Sequence, residues 1–325
     1  MPRVVMLRDQ EPRCQIEEID ASELPERSVS VDIDYSDLNY KDALAVTGKG
    51  KIVRDYPFVP GIDFAGTVRE SKSDRYSVGD KVILTGWGVG ERHWGGFAET
   101  MNVDSDWLVP CPDALSTRDA MLLGTAGLTA MLSVIQLEQA GLAAGGKVLV
   151  TGATGGVGSW AVQMLAQLGY EVEAVTGKAE QHHWLEELGA TQIVPRSELD
   201  GETRPLEKGR WDAAVDTVGG QVLAGVLARM NYQGRVAAVG LAAGTDLPTT
   251  VMPFILRGVS LLGVESVMAP FDQRQAAWQR LASLPRDLFT RMQTEEIGFD
   301  QVVEQAEAML AGKTYGRVLI NPHQS

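Results

Sequence analysis

A glycine-rich segment between an apolar strand pattern and a helix pattern constrains this chain most. Residues 151–158 (TGATGGVG) follow the strand pattern 147–150 and precede the helix pattern 160–168. Glycines allow positive φ angles and let the backbone approach a pyrophosphate, and the following helix offers free N–H groups and its positive dipole end. With a second strand pattern at 171–175, the segment predicts a dinucleotide-binding turn rather than a packing turn without a ligand.

The residues after the second strand indicate which dinucleotide binds. A site specific for NAD usually has Asp or Glu there, which accepts hydrogen bonds from the ribose hydroxyls. Here the strand ends in Thr176, Gly177 and Lys178, and a cation in place of a carboxylate favours the 2′-phosphate of NADP. Arg196, after the next strand pattern, is a candidate second phosphate ligand. The alternative is that Lys178 is a solvated surface residue.

Two other phosphate-binding motifs are excluded. Residues 141–147 have the glycine and lysine spacing of a P-loop, but Val148 stands where Ser or Thr is needed, and the segment precedes its strand. The turn at 151–158 also resembles that of short-chain dehydrogenases, which use a Tyr-x-x-x-Lys pair. None of the seven tyrosines in this chain has Lys four residues later.

Length, charge and cysteine content restrict the class of protein. A chain of 325 residues predicts two domains. The net charge of −14, spread along the chain, disfavours nucleic-acid binding. We expect no signal peptide and no apolar stretch of the roughly 20 residues that cross a bilayer. Cys14 and Cys111 are too few for a disulfide framework. These features predict a cytoplasmic protein without membrane or nucleic-acid partners.

The first third of the chain and its centre differ in pattern. Short β-type runs separated by turn residues fill the first third, for example 29–35 and 81–84. From residue 147, apolar strands alternate with helices, which predicts a parallel sheet covered on both faces. The fold class is therefore α/β, with a β-rich domain followed by a doubly wound domain. The final helix and strand patterns, 302–310 and 316–320, fit either domain.

Four further segments resemble one family. Residues 36–44 (SDLNYKDAL), 60–66 (PGIDFAG), 85–90 (TGWGVG) and 252–257 (MPFILR) are similar to the bacterial acrylyl-CoA reductase group. That group, formerly labelled quinone oxidoreductases, belongs to the zinc-independent part of the medium-chain dehydrogenase/reductase superfamily. The similarity runs from end to end.

The resemblance implies a domain arrangement and an assembly. It implies a GroES-like catalytic domain of residues 1–118, to which residues 267–325 return, and a Rossmann NADPH-binding domain of residues 119–266. It also implies a homodimer paired through an edge strand at residues 259–264.

The zinc ligands of alcohol dehydrogenases in that superfamily are replaced in this chain. Those enzymes use a Cys and a Gly-His-Glu motif. Here Gly61-Ile62-Asp63 replaces the second motif, Asn39-Tyr40 stands near the position of the Cys, and the four-cysteine structural lobe is missing. We therefore expect chemistry without zinc, in which hydride adds to the β-carbon of an α,β-unsaturated thioester and a proton adds to the α-carbon.

The resemblance also implies residue roles. We expect Tyr40 to donate a proton or a hydrogen bond or to stack beside the cofactor, and Asn39 and Asp63 to position the nicotinamide or the thioester oxygen. The alternative for each is a buried polar residue that satisfies the domain's own backbone. Lys178 stands where the group is expected to have Arg, and Lys lacks the planar fork of Arg. The residues expected to contact NADPH are Tyr40, Thr154, Gly155, Gly156, Val157, Thr176, Gly177, Lys178, Arg196, Leu241, Ile255 and Ser266.

Two further segments have open interpretations. The densest basic stretch contains Lys41, Lys49, Lys51 and Arg54, which would either meet the phosphates of coenzyme A or lie on a solvated loop. Trp87, Trp94 and Phe97 would either line the acyl pocket or pack in the core.

Three functions remain from the sequence. The leading hypothesis is NADPH-dependent reduction of a short 2-enoyl-CoA, most specifically acryloyl-CoA to propanoyl-CoA. The second is an NADPH-dependent quinone or enone reductase with the same hydride chemistry. The third is an NADPH-binding sensor or structural protein with little turnover.

Overall fold

The computed structural model describes residues 1–324. The β-strands are β1 (Arg3–Leu7), β2 (Cys14–Glu18), β3 (Val29–Asp37), β4 (Asp63–Ser71), β5 (Lys81–Thr85), β6 (Thr100–Val103), β7 (Leu108–Pro110), β8 (Lys147–Val150), β9 (Glu171–Thr176), β10 (Gln192–Pro195), β11 (Trp211–Asp216), β12 (Met230–Ala238), β13 (Ser260–Gly263), β14 (Thr294–Ile297) and β15 (Arg317–Ile320). The α-helices are α1 (Tyr40–Thr47), α2 (Thr117–Gln139), α3 (Gly156–Gln167), α4 (His182–Glu187), α5 (Gly220–Ala228), α6 (Met252–Arg257), α7 (Phe271–Ala282), α8 (Arg286–Arg291) and α9 (Val302–Leu310).

These elements form two compact units. The first unit contains residues 1–125, 266–284 and 293 onward, and the second contains residues 126–265 and 285–292. The division expected from the sequence placed residues 119–125 and 266 in the second domain and residues 285–292 in the first. The structure groups 285–292 with the second unit because α8 packs on α3, where the rings of Trp160 and Phe289 meet edge to face.

The first unit is built on a mixed sheet with the strand order β14-β15-β3-β4-β5-β7, and β6 also pairs with β3. Neighbours are antiparallel except for β14 and β15. In β3, Val29, Val31 and Ile33 are buried while the residues between them are not, as the two-residue period of a strand requires. These side chains form one core with others from β4, β5 and β6.

A second core in the first unit lies beneath α1 and α9. Leu38, Ala43 and Val46 pack against Val302 of α9 and Ile320 of β15. The final strand, β15, lies between β14 and β3. It therefore belongs to the first unit, a question that the sequence alone left open.

The second unit is built on a parallel sheet with the order β10-β9-β8-β11-β12-β13. The two central strands are mostly apolar and almost wholly buried, because a parallel sheet is covered by helices on both faces. The order reverses between β8 and β11, so the carboxyl ends of these two strands border the crevice where doubly wound proteins bind ligands.

One helix begins earlier than its sequence pattern, and another is interrupted by a glycine. The helix expected at 160–168 begins at Gly156, because the glycines of the turn already form its first residues. Helix α2 is interrupted at Gly124, which has φ 52° and ψ −155°. The expectation that no apolar stretch reaches the length of a membrane span is wrong for α2. By length and composition α2 could cross a membrane, but most of its apolar part is buried inside the protein, as in a core helix.

Candidate active site

The glycine-rich turn of the second unit is shaped by close backbone contacts. A Cβ on Gly152, where φ is +58°, would lie 2.2 Å from the Thr217 hydroxyl, and a Cβ on Gly158 would lie 2.3 Å from the Gly152 carbonyl oxygen. Both positions therefore require glycine. No side chain caps the start of α3, and its first turn holds no acidic residue. Its first amides thus have no intrahelical acceptors and suit an anion such as a pyrophosphate.

The candidate cations for a 2′-phosphate lie at one edge of the parallel sheet. In the pairing of β9 with β10, Thr176 is opposite Pro195, which places Lys178 and Arg196 just beyond adjacent strand ends. Lys178 is half-buried, and burial lowers the pKa of its ammonium group. A Cβ on Gly177 would meet nothing within 4 Å, so there is open space beside it. Arg196 is half-exposed and pairs with Asp200 at 3.5 Å.

A buried carboxylate organises the carboxyl ends of β8 and β11. Asp216 accepts a hydrogen bond from the Thr151 hydroxyl at 2.7 Å and another from the Gly219 amide at 2.8 Å. The Thr217 hydroxyl donates to the Thr151 carbonyl oxygen at 2.9 Å. This network ties the start of the glycine-rich turn to the loop after β11. Asp216 was not among the site residues predicted from the sequence, although a carboxylate that ends the apolar run 213–215 was a local signal.

Two apolar residues expected to contact the cofactor are strongly exposed. Leu241 follows β12, and its Cα would lie 3.1 Å from a Cβ on Gly219. Ile255 is on the short helix α6, which packs against β12. Their side chains are 62% and 72% exposed, which leaves both available to a ligand or partner. Ser266 belongs to the first unit, where its carbonyl oxygen accepts a hydrogen bond from Arg274.

In the first unit, Asn39 and Tyr40 form the start of α1. Asp42, in the first turn of the helix, accepts hydrogen bonds from the backbone amides of Asn39 at 3.0 Å and Ile62 at 2.9 Å. One carboxylate thus ties the helix start to the loop before β4. Tyr40 is 48% exposed, and no residue of the described chain hydrogen-bonds to its hydroxyl. Its phenol is therefore accessible to a bound molecule.

Asp63, the first residue of β4, is completely buried. One carboxylate oxygen accepts from the Asn39 side-chain amide at 3.1 Å, and the other accepts from the Thr125 backbone amide at 2.7 Å. Both oxygens are therefore occupied within the first unit. The structure places the side chains of Asn39 and Asp63 in contact with each other. Their contact with the nicotinamide or the thioester stays a prediction.

Burial and like charges shift two pKa values near these residues. Burial and the neighbouring Asp63 carboxylate raise the pKa of Asp42 to about 7. Burial also raises the pKa of Asp37 well above its usual value, although the Arg317 guanidinium opposes that shift. The polar site of the first unit is thus a region where charge is costly unless it is paired.

The open interpretations of two segments are partly resolved. Phe97 is completely buried among the side chains beneath α1, so it is a core residue. Lys41 pairs with Glu91 at 2.6 Å, so its charge is already matched. The other three cations of the basic stretch, Lys49, Lys51 and Arg54, are exposed. Among the 324 described residues, no three His, Cys, Asp or Glu side chains form a group able to hold a metal ion.

Comparison with known proteins identifies the family. The model of the alcohol dehydrogenase GroES-like domain matches residues 25–113, and that of the zinc-binding dehydrogenase matches residues 156–283. Probable acrylyl-CoA reductase AcuI of Escherichia coli (strain K12) is 54% identical over 96% of this chain and 97% of that protein. The chain belongs to the medium-chain dehydrogenase/reductase superfamily.

Two further similar proteins indicate the group within the superfamily to which the chain is most similar. Acrylyl-CoA reductase AcuI of Ruegeria pomeroyi is 52% identical over 95% of this chain and 94% of that protein. The crystal structure of the yhdH oxidoreductase of Salmonella enterica in complex with NADP superposes with a TM-score of 0.96, at 52% identity over 98% of this chain and 99% of that one. The expected superfamily, group and fold class, a GroES-like domain with a Rossmann domain, are confirmed.

Proposed function

We propose that this protein is an NADPH-dependent reductase of the C=C bond of short 2-enoyl-CoA thioesters, and that it converts acryloyl-CoA to propanoyl-CoA. The observation that carries the proposal is the identity of more than half of the residues, over nearly the full length, with two proteins named as acrylyl-CoA reductases. The absence of a metal-binding side-chain group in the described residues is compatible with reduction of an activated alkene, which needs no Lewis acid.

The second unit fits NADPH. The uncapped start of α3 suits the pyrophosphate, and Lys178 and Arg196, at one sheet edge, suit the 2′-phosphate. A relative at 52% identity was crystallised with NADP. We therefore propose that the residues expected from the sequence contact NADPH. They are Thr154 to Val157, Thr176 to Lys178, Arg196, Leu241, Ile255, and, from the first unit, Tyr40 and Ser266.

The first unit supplies the polar groups for the reaction. NADPH, when bound, supplies the hydride that adds to the β-carbon. The α-carbon then requires a proton, and Tyr40 is the candidate donor because its hydroxyl is exposed and has no protein partner in the described chain. The polar side-chain atoms of Asn39 and Asp63 form hydrogen bonds with each other and with neighbouring groups. We therefore propose that these two residues position Tyr40.

Stopped-flow measurement of NADPH absorbance tests the proposal. The protein is mixed with NADPH and with acryloyl-CoA, crotonyl-CoA or a benzoquinone in separate experiments. We expect the fastest loss of absorbance with acryloyl-CoA. A preference for the benzoquinone would instead identify a quinone or enone reductase. Tight NADPH binding without turnover of any of the three would identify a sensor or structural protein.

The assembly that we propose is a homodimer in the cytoplasm. Strand β13 lies at an edge of the parallel sheet. Exposed apolar side chains lie on its neighbour β12 (Tyr232) and on α6, which packs against β12 (Ile255 and Leu256). An unpaired sheet edge is a template for pairing with a second chain. Light scattering after size-exclusion chromatography measures the mass directly, and a monomer at micromolar concentration would exclude the dimer. The net charge of −14 supports our expectation that nucleic acid is not a partner.

A further inference from the structure

The interruption of α2 at Gly124 creates two helix ends inside the first unit. The segment before the break ends with carbonyl groups that lack helical amides, and the segment after it begins with amides that lack helical carbonyls. The Arg317 Nε donates to the Leu122 carbonyl oxygen at 3.1 Å, and the Asp63 carboxylate accepts from the Thr125 amide at 2.7 Å. Each end is thus met by the charge that its dipole favours, a cation at the carboxyl end and an anion at the amino end.

Arg317 reaches Asn39 as well as the helix break. It is 4% exposed, and its Nη2 contacts Asp37 at 2.5 Å while its Nη1 lies 3.5 Å from the side-chain oxygen of Asn39. The Asn39 amide nitrogen in turn donates to both Asp37 and Asp63. The two hydrogens of this amide therefore face two carboxylates, and its oxygen faces a guanidinium. Only one orientation of the amide satisfies all three neighbours.

Gly124 makes this arrangement possible. A Cβ at this position would lie 1.9 Å from the Asp37 carboxylate and 2.9 Å from Arg317 Nη2, and φ is +52°. The ion pair therefore occupies the space that a side chain would fill. The helix break and the Arg317–Asp37 ion pair depend on each other. Together they hold the side chain of Asn39, the residue that caps the start of α1 and directly precedes Tyr40.

We propose that Arg317 and Asp37 are positioning residues for the reduction. They hold the Asn39 amide and the helix break in one arrangement, and so place the Tyr40 hydroxyl where it delivers the proton to the substrate. This role rests on the proposed function, since it assigns Tyr40 the protonation of the α-carbon. The alternative is an ion pair that stabilises the first unit without affecting the reaction.

A double-mutant cycle between Arg317→Lys and Tyr40→Phe separates these roles. Lysine keeps the charge but cannot contact Asp37, Leu122 and Asn39 together. We expect kcat to fall about 10-fold to 100-fold in Arg317→Lys, because small misplacements of catalytic groups have effects of that order. The dissociation constant of NADPH should change less than about twofold. In the Tyr40→Phe background, Arg317→Lys should add little, because both changes act through the same hydroxyl.

The pair itself provides a second test. Replacing a buried ion pair by apolar side chains is often neutral or stabilising, so Asp37→Leu combined with Arg317→Met should keep the fold, as measured by circular dichroism and thermal unfolding. We expect kcat to stay as low as in Arg317→Lys. If the pair is only structural, this variant recovers nearly the kcat of the unmodified protein, and the proposal is overturned. Should neither variant fold, Asp37→Asn, which keeps every heavy-atom position and the guanidinium, takes the place of Arg317→Lys in the cycle.

Arg3→Lys is the matched control. Arg3 also bridges a carboxylate and a carbonyl in the first unit, Glu99 and Pro322, without contacting Asn39. Its kcat should equal that of the unmodified protein. An equal fall in kcat for both arginine variants, or additive effects in the cycle, would overturn the positioning role. If the unmodified protein reduces only a benzoquinone, the proposed function is wrong. The positioning role is then tested separately, by measuring the same double-mutant cycle with the benzoquinone as substrate.

Discussion

The two units build their polar sites from different materials. In the second unit the groups suited to a cofactor are mainly backbone amides at the start of α3, and glycines a few residues apart set their positions. In the first unit the site is a network of side chains, and 278 positions of sequence separate Asn39 from Arg317. A backbone site should be sensitive to changes at glycine and tolerant elsewhere. A side-chain network should be sensitive to changes in single polar atoms.

The largest effect is expected when one methyl group is added to the glycine-rich turn, which tests whether the site of the second unit is built from backbone groups. In Gly158→Ala the new Cβ would lie 2.3 Å from the Gly152 carbonyl oxygen, so the backbone at the start of α3 must move. We expect the dissociation constant of NADPH, measured by fluorescence, to rise about 100-fold, which corresponds to about 2.7 kcal/mol. Gly201→Ala is the control, because a Cβ there meets nothing within 4 Å. Equal binding by both variants would contradict a backbone-built site.

A change of one oxygen tests the side-chain network. Tyr40→Phe removes the accessible hydroxyl and leaves the ring. We expect kcat with acryloyl-CoA to fall about 100-fold, the lower end of what a positioned proton donor contributes, while NADPH affinity changes little. Steady-state and single-turnover kinetics measure the two quantities separately. A rate equal to that of the unmodified protein would reduce Tyr40 to a packing residue.

The site of the second unit is built mainly from backbone groups, but we expect one of its side chains to contribute to NADPH binding. Lys178→Ala removes a half-buried cation at the end of β9. We expect NADPH binding to weaken about 10-fold, the value of one charge-assisted contact, and NADH binding to remain nearly constant. Calorimetric titration of both cofactors gives the ratio. Equal weakening for NADPH and NADH would refute contact with the 2′-phosphate.

The smallest expected effect concerns the pH dependence of stability. The pKa of Asp42 is about 7 in the folded protein, above the usual 3.8. The folded state therefore binds this proton more tightly than the unfolded state, and the contribution of Asp42 to the free energy of unfolding falls as the pH rises from about 4 to about 7. Asp42→Asn should lack this part of the slope.

Urea unfolding at several pH values between 4 and 8 measures that slope. Asp9→Asn, a change at an exposed carboxylate, is the control and should keep the slope of the unmodified protein. Identical slopes for Asp42→Asn and the unmodified protein would mean that Asp42 is ionised throughout this range.

Sequence patterns predicted local features of the fold well. The alternation in β3, the apolar run of β8 and the glycines of the turn each carry their information within a few residues. The helix pattern at residues 120–138 is interrupted by Gly124 and Gly127, but a glycine in such a pattern is compatible with a continuous helix, so the break became evident only in the structure. Asp37 and Arg317 carry no local signal, since their importance comes from a contact between distant segments. Asp63 was identified through its family motif, but its two acceptor contacts became evident only in the structure.

The position of β15 has a consequence for the order in which the protein folds. The first unit is assembled from segments on both sides of the second in the sequence, and β15 fills the gap between β14 and β3. During synthesis, residues 126–265 leave the ribosome before β15 and Arg317 exist. The parallel sheet can therefore form early, while residues 1–125 lack Arg317, the cation that pairs with Asp37. Such long-range closure slows folding, and in a nascent chain that stops before β15 the edge of β3 that pairs with β15 has no partner.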